Sequence, residues 1–314
     1  MVSPERTWRA IRDLPRPTAW ELWEIGIQLA LLPLTVVPRA VGLRACALFA
    51  AALMRPGSGY RRKVEAQLPP ALTRAFDGSV GRTLRSSETY LLYDRVLVLR
   101  GVLFPWRRRR LRVLGLTHLN QALDAGHGAI LWVQPCVSSS ICVKQAIEEA
   151  GHPLAHLTRP SHGFSGSPFG IRLVNPLLRR AETRFLAERI VIDEGHTVGA
   201  IRRIRTVLKE NRVVSITVTN TATHLDEFPF LDGTLILPSG PVELAALSGA
   251  ALLPVFTAGT HPIATVEIGA PLPISGADQK SVRESQEAMV AWLEGQIAEH
   301  PLDWIGWRAS LYRR

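Results

Sequence analysis

Cys136 is the sharpest nucleophile candidate in this sequence. It follows an apolar run, Ala129–Gln134, and precedes three serines, Ser138, Ser139 and Ser140. A thiolate there could accept an acyl group if a base or a helix N-terminus lowered its pKa. A helix beginning near Ser138–Ser140 would do so through its dipole. The competing reading is a small apolar residue in the core, which is how free cysteine usually behaves. The serines read first as helix caps. As nucleophiles they lack a Gly-x-Ser-x-Gly elbow, and only His162, in the loop Ser161–Pro168, is a candidate base. A second kind of chemistry is anion binding. Arg107, Arg108, Arg109 and Arg110 form the densest basic cluster, preceded by Phe104-Pro105-Trp106. Such a run reads either as a solvated charged helix face or as a surface for anionic headgroups or an acidic protein.

The elements that must position these groups have an α/β pattern. Short runs rich in Val, Ile and Leu predict strands at Ala129–Gln134, Ala155–Thr158, Arg189–Asp193, Val213–Val218, Leu252–Thr257 and Thr265–Gly269, as a sheet covered on both faces requires. Between them lie helical patterns. One face is made by Val198, Ile201, Ile204 and Leu208, with Arg202, Arg203, Arg205 and Lys209 turned away; another is made by Met289, Trp292, Leu293 and Ile297. Gly240-Pro241-Val242-Glu243 is a helix start, with Pro at the first position and an acid in the first turn. Strand–helix alternation predicts a largely parallel or mixed sheet.

The 314 residues are 46% hydrophobic. That is enough for a substantial core without disulfide or metal staples, and it excludes a disordered chain. Three cysteines without zinc-site spacing fit a reducing compartment. The formal charge is +10, and only four of the 37 basic residues are lysine. Arginine binds phosphate in a bidentate fork, so the partner classes are nucleic acid, anionic lipid, or a phosphorylated or acidic carrier. No zinc finger, RNA-recognition signature or basic zipper occurs, which argues against nucleic acid. The N-terminal region favours lipid. Trp20–Met54 is apolar but broken by Pro33, Pro38, Arg39 and Arg44, and its longest uncharged piece, Ile25–Pro38, has 14 residues. A spanning helix needs about 20. Glu21 and Glu24 flank the run, and no small-residue cleavage site marks a signal peptide. Trp20 and Trp23 suit the headgroup zone. The expectation is helices lying in one leaflet, against a buried helical hairpin or a true span.

The order of the segments resembles the bacterial lipid A late acyltransferases (lauroyl/myristoyl type), a branch of the lysophospholipid acyltransferase group. The resemblance runs from about Arg61 to the C-terminus. It rests on Leu119-Asn120-Gln121-Ala122-Leu123 with Gly126-His127-Gly128-Ala129-Ile130-Leu131, on Thr158-Arg159-Pro160, and on Phe228-Pro229-Phe230. Ser239-Gly240-Pro241-Val242-Glu243-Leu244-Ala245, Ser248-Gly249-Ala250, Leu253-Pro254-Val255-Phe256 and His300-Pro301-Leu302-Asp303-Trp304 follow. It implies a mixed central sheet flanked by helices (about 61–314) behind a membrane-associating helical segment (about 1–60). It also implies transfer of a fatty acyl group from an acyl-ACP or acyl-CoA thioester to a lipid or lipid-like acceptor, with no cofactor or metal. The implied place is the cytoplasmic face of the bacterial inner membrane, peripheral or monotopic, with membrane lipid and acyl carrier protein as partners.

The family uses a histidine with an acid five residues later, just after the strand that holds Ile130 and Leu131. The histidine takes the acceptor proton and the acid orients its ring. In this chain Pro135 stands at the histidine position and Ser140 at the acid position, and none of the nine histidines has Asp or Glu five residues later. After Val213–Val218 the family's Asp-Gln-Asp-like triplet is replaced by Thr219-Asn220-Thr221. Two readings follow. One is a divergent acyltransferase that relies on a nucleophilic acceptor such as an amine, or on Cys136. The other is a catalytically silent relative that binds acyl chains or a partner protein. An open acyl-shaped tunnel would favour the first, and a site filled by its own side chains the second. By the same resemblance, Gln134, Arg159, Arg172 and Thr219–Thr221 are substrate-binding candidates. Thr219–Thr221 is expected within reach of the turn at Pro135–Ser138, because both follow strands at one edge of the sheet.

Overall fold

The structure is a computed structural model and describes residues 18–159, 167, 169–192, 197–259 and 263–314. The N-terminal part is helical: α1 (Ala19–Leu31), a 3₁₀ turn (Leu32–Thr35), α2 (Arg39–Leu53), α3 (Gly59–Glu65), α4 (Pro70–Phe76) and the long α5 (Val80–Leu103). Pro33 and Pro38 explain the break between α1 and α2, since proline cannot supply the next helical N–H. The two helices close on α5 through Ile27, Leu31, Cys46, Ala50, Leu92, Tyr93 and Val96. Arg100 of α5 holds the bend by donating to the carbonyls of Thr35 (2.7 Å) and Val37 (3.3 Å).

The rest alternates strand and helix: β1 (Leu111–Leu114), α6 (Leu116–Asp124), β2 (Ala129–Val133), α7 (Ser139–Glu149), β3 (Leu154–Thr158) and α8 (Asn175–Thr183), the last preceded by a π turn at Gly170–Val174. Then come β4 (Glu188–Val191), α9 (Thr197–Lys209), β5 (Val213–Thr217), the hairpin β6 (Leu225–Phe230) and β7 (Gly233–Pro238), and α10 (Gly240–Ser248). Last are β8 (Ala251–Ala258), β9 (Ala264–Ile268), α11 (Gln279–Glu299) and β10 (Tyr312–Arg313). Among the described residues one sheet has the order β1-β9-β8-β2-β5-β3-β4, and β10-β7-β6 form a small second one. Strands β8, β2, β5, β3 and β4 are parallel, while β9 runs antiparallel to β8 and carries β1 with it. The mixed α/β sheet is therefore present as expected.

Strand β2 is buried at every position. Its side chains alternate faces as the pleat demands. Ile130 and Trp132 join Ile204, Val242, Met289 and Leu293 on one side; Ala129, Leu131 and Val133 join Leu119, Cys142 and Ile147 on the other. The six predicted strands are found within a residue or two of their expected bounds, although Asp193 lies outside the described residues. Helix α9 differs from expectation. Its inner face is Ala200, Ile204, Val207 and Leu208, whereas Val198 and Ile201 are exposed. At about 3.6 residues per turn, Val198 falls nearly opposite the inner stripe. The helix at Gly240 starts as expected, with Pro241 in its first positions and Glu243 in its first turn.

Helix α1 buries Ile27 and Leu31 but also carries large apolar residues outward. Its buried positions include Glu21 and Glu24, while Trp20, Leu22, Trp23 and Leu29 are exposed at 50%, 58%, 43% and 63%. Glu21 completes a capping box with Thr18 and accepts from the Ser167 hydroxyl and the Gly170 N–H. Glu24 pairs with Arg95 of α5 at 2.7 Å. Buried acids tolerate desolvation only when so paired. Among the described residues no helix is long and apolar enough to cross a membrane.

Candidate functional site

Parallel strands deliver the turn after β2 to the carboxyl edge of the sheet, where α/β folds place their ligands. Val133 is level with Thr217 of β5 and Val255 of β8. The Gln134 N–H donates to Val255 O at 2.8 Å and the Val218 N–H to Val133 O at 2.9 Å. The expected neighbourhood of Thr219–Thr221 and the turn is thus met. Thr219 and Thr221 are exposed, with their hydroxyls 3.1 Å apart, and Arg159 donates to Thr221 O. Arg172 is exposed on the π turn. His162, Pro160 and most of the Ser161–Pro168 loop lie outside the described residues.

The turn itself is closed. Gln134 is 0% exposed, Cys136 3% and Ser138 1%. The C-terminal segment lies over it as a short antiparallel bridge, Cys136 opposite Trp304. The Val137 N–H donates to Asp303 O and the Ile305 N–H to Pro135 O, each at 2.9 Å. Trp304 is fully buried, edge-on to Phe230 at 5.3 Å between centroids. Only glycine fits at 306, because a Cβ there would stand 2.4 Å from the Trp304 indole.

This closure corrects several expectations. Burial pushes the Cys136 thiol well above its ordinary range, Thr257 partly opposes the shift, and the Asp303 carboxylate adds to it. The buried thiol is held in its protonated form, so Cys136 is not an activated nucleophile. Ser138 occupies the N-cap of α7, but its side chain makes no capping bond. Ser139 instead accepts from the Cys136 N–H (3.2 Å) and donates to Cys136 O (3.0 Å), fixing the turn. Ser140 offers its carbonyl to Lys144 at 2.7 Å, and Lys144 pairs with Glu182 at 3.0 Å. Gln134 cannot meet a ligand from solution, since its amide faces Met289 Sδ at 3.3 Å inside the core. Pro135 is sealed by Ile305, so the histidine position has neither a base nor access.

One titratable group at the turn was missed in the sequence. Asp303 is buried, and burial pushes its carboxyl up to about 6, with the Gly259 backbone N–H and His300 opposing. Its Oδ1 has no hydrogen-bond partner among the described residues. No signal in the sequence placed Asp303 there, because it arrives from the chain end.

The basic cluster is not a helix face. Residues 104–110 are irregular and lead into β1. Because Leu111 pairs with Ala264, and Thr265 with Ala258, this segment arrives at the same edge where β8 and β2 end. It borders a cleft of about 310 Å³ whose walls include Arg39, Arg100, Arg107–Arg110 and Arg184 over a floor with Leu97, Val98 and Ile141. Arg109 does not offer a free surface charge: it is half-buried, 2.7 Å from Asp94 and 3.5 Å from Cys142 Sγ. Arg108 reaches Glu148 at 2.5 Å and Glu149 at 3.4 Å. Arg107 and Arg110 are exposed, as is Trp106 at 74%.

Among the described residues no group of three or more His, Cys, Asp or Glu side chains could hold a metal ion. What the edge defines is a helix-flanked α/β fold with a sealed turn beside an arginine-rich cleft. No protein-family model matches the chain, and no curated protein matches it.

Proposed function

We propose that this protein is a membrane-surface relative of the acyltransferase group that binds an acylated, anionic amphiphile and does not perform histidine-dependent acyl transfer. Helix α1 carries the membrane part of this reading. Its inner face combines Ile27 and Leu31 with two glutamates, while two tryptophans and two leucines stand outward, more apolar surface than a helix on a water-facing body presents. Burying one leucine-sized side chain is worth about 1.5–3 kcal/mol, so seating this face among acyl chains offsets its exposure to water. Leu48 of α2 is a further large apolar side chain in water, exposed at 74%. Each basic residue near an anionic surface adds about 1 kcal/mol.

The state of the turn separates the two chemical readings. Pro135, Cys136 and Ser138 are covered by Trp304 and its neighbours, as a site filled by its own side chains would be. A second reading rests on Asp303. A carboxyl near 6 with one unpartnered oxygen could take the proton released when an amine is acylated. That would be the divergent transfer in which the acceptor supplies its own nucleophilicity.

Co-sedimentation with phosphatidylcholine/phosphatidylglycerol vesicles tests the membrane seat. The intact chain should pellet, and Trp20→Ser/Trp23→Ser should lower its partitioning about tenfold. An intact chain that stays in the supernatant at low salt would overturn it. Mass spectrometry of products after incubation with acyl-ACP or acyl-CoA and a panel of hydroxyl and amine acceptors tests the chemistry. No product is expected. An acylated hydroxyl would overturn the non-catalytic reading, and an acylated amine lost in Asp303→Asn would establish the second one.

A further inference from the structure

The arginine cleft holds more positive charge than the protein answers. Of the arginines in its walls, Arg109 is met by Asp94, and Arg108 by Glu148 and Glu149. Arg100 and Arg184 spend their N–H groups on neutral carbonyls, Arg100 on Thr35 and Val37, Arg184 on Gly101 and Pro105. Arg39, Arg107 and Arg110 have no ion pair among the described residues, and Arg107 only stacks over Phe104 at 5.4 Å. The crowding is felt locally: burial lowers the pKa of Arg184, and the charges of Arg108 and Arg109 lower it further. Guanidinium groups gathered from α2, α5, the strand-leading segment and the end of α8 gain most from one shared multivalent anion.

We infer that this cleft is a binding site for a phosphate or diphosphate ester on an amphiphilic molecule. Arg39, Arg107 and Arg110 take the phosphate oxygens, and Leu97, Val98 and Ile141 cover an apolar part of the same ligand. Arginine forks match phosphate bidentately, which a carboxylate headgroup would satisfy only once. The apolar floor excludes a bare inorganic ion as the best fit, because such an ion would leave that floor wet. Two sources share this chemistry: the headgroup of an anionic lipid and the phosphate ester of a soluble acyl carrier group such as coenzyme A. The headgroup source is favoured by Trp106, which directly precedes the wall residue Arg107 and is exposed. A phosphate site here stands whether or not acyl transfer occurs, and whether or not α1 seats in a membrane.

The test uses the full chain with inorganic pyrophosphate and coenzyme A by calorimetry, and phosphatidylcholine vesicles with and without phosphatidate by co-sedimentation. At least one probe should bind saturably. Saturable coenzyme A binding assigns the soluble source, and binding confined to phosphatidate vesicles assigns the headgroup. Arg107→Gln/Arg110→Gln should weaken that binding about tenfold or more. Arg39→Gln, from a different helix, should weaken it in the same direction. Arg202→Gln/Arg205→Gln, which removes equal charge from the exposed side of α9, should change it less than about twofold. Failure of every probe to bind would overturn the inference. So would equal weakening by both double variants, which is diffuse electrostatics, or an Arg39→Gln variant that binds like the parent, which leaves a basic segment and no cleft.

Discussion

At the carboxyl end of the parallel strands the turn after β2 is shut and overlaid by Trp304. Along the same edge, where β1 and β9 begin, the cleft walled by Arg39, Arg107 and Arg110 is open and charged. Both are produced by the same scaffold, and α7 serves both, with its N-terminus at the turn and Ile141 in the cleft floor. Catalysis at a strand end needs a titratable group that water and substrate can reach. Binding at a rim needs only unpaired charge beside apolar surface. The turn lacks the first requirement and the cleft has the second. One sheet edge can therefore hold a closed turn and, a few residues along, an open and charged cleft.

The strongest break of this contrast lies inside the cleft itself, between its half-buried and its rim arginines. Arg109→Leu leaves Asp94 buried without a counter-charge and should cost about 3–5 kcal/mol. Arg107→Leu should stay within about 0.5 kcal/mol. Urea unfolding midpoints of the two variants measure the difference, and comparable costs would mean that the cleft has no structural floor beneath a binding rim.

Next in size is the acid at the sealed turn. Asp303 has a folded pKa of about 6 against an unfolded value of about 3.9. The folded state then binds more protons between those values, so this group's contribution to stability is full below about pH 4 and declines as pH rises to 6. The loss amounts to at most about 3 kcal/mol. Asp303→Asn should remove this dependence and be more stable relative to the parent at pH 7 than at pH 4. A stability difference between parent and Asn variant that stays flat across the same window would show that the carboxyl is solvated and the turn is not sealed.

Installing a histidine and an acid at the turn sharpens the comparison from the other side. Pro135→His/Ser140→Glu adds volume under the Trp304 segment and should cost about 1–3 kcal/mol without producing hydroxyl acylation by mass spectrometry. Product formation by that variant would mean that access, not only residue type, survives at the turn. The smallest effect belongs to Cys136. Cys136→Ala should cost about 1 kcal/mol. Because all three cysteines are buried, the native chain should take up no iodoacetamide by intact mass until denaturant is added.

Much of the sheet was legible. Strands β2, β3, β5 and β8 are covered on both faces, so their apolar runs stand out against charged flanks. Strand β1 was not, because Leu111–Leu114 has alternate exposed positions and follows directly on the arginines. The β6–β7 hairpin was hidden because Pro229 sits inside β6, which tolerates it only as an edge strand beside β7. At the turn, the absence of a titratable base at position 135 could be read from the sequence alone, since no fold can give proline a titratable nitrogen.

The residue types of this chain fixed its α/β pattern, the interrupted apolar N-terminus, the arginine excess and the absence of a base at position 135. These are local properties: periodicity, chain length and side-chain chemistry do not depend on distant contacts. The tertiary structure decided which of those residues matter and how. Glu21 and Glu24 joined the inner face of α1 only because Arg95 and the Ser167–Gly170 segment wait there. That contact in turn sent Trp20 and Trp23 outward. Cys136 was closed off by a segment from the far end of the chain, and Arg109 was drawn inside by Asp94 while its neighbours stayed in water. Burial and pairing are set by partners far away in sequence, and the cost of an unpaired buried charge selects which of several similar residues goes in.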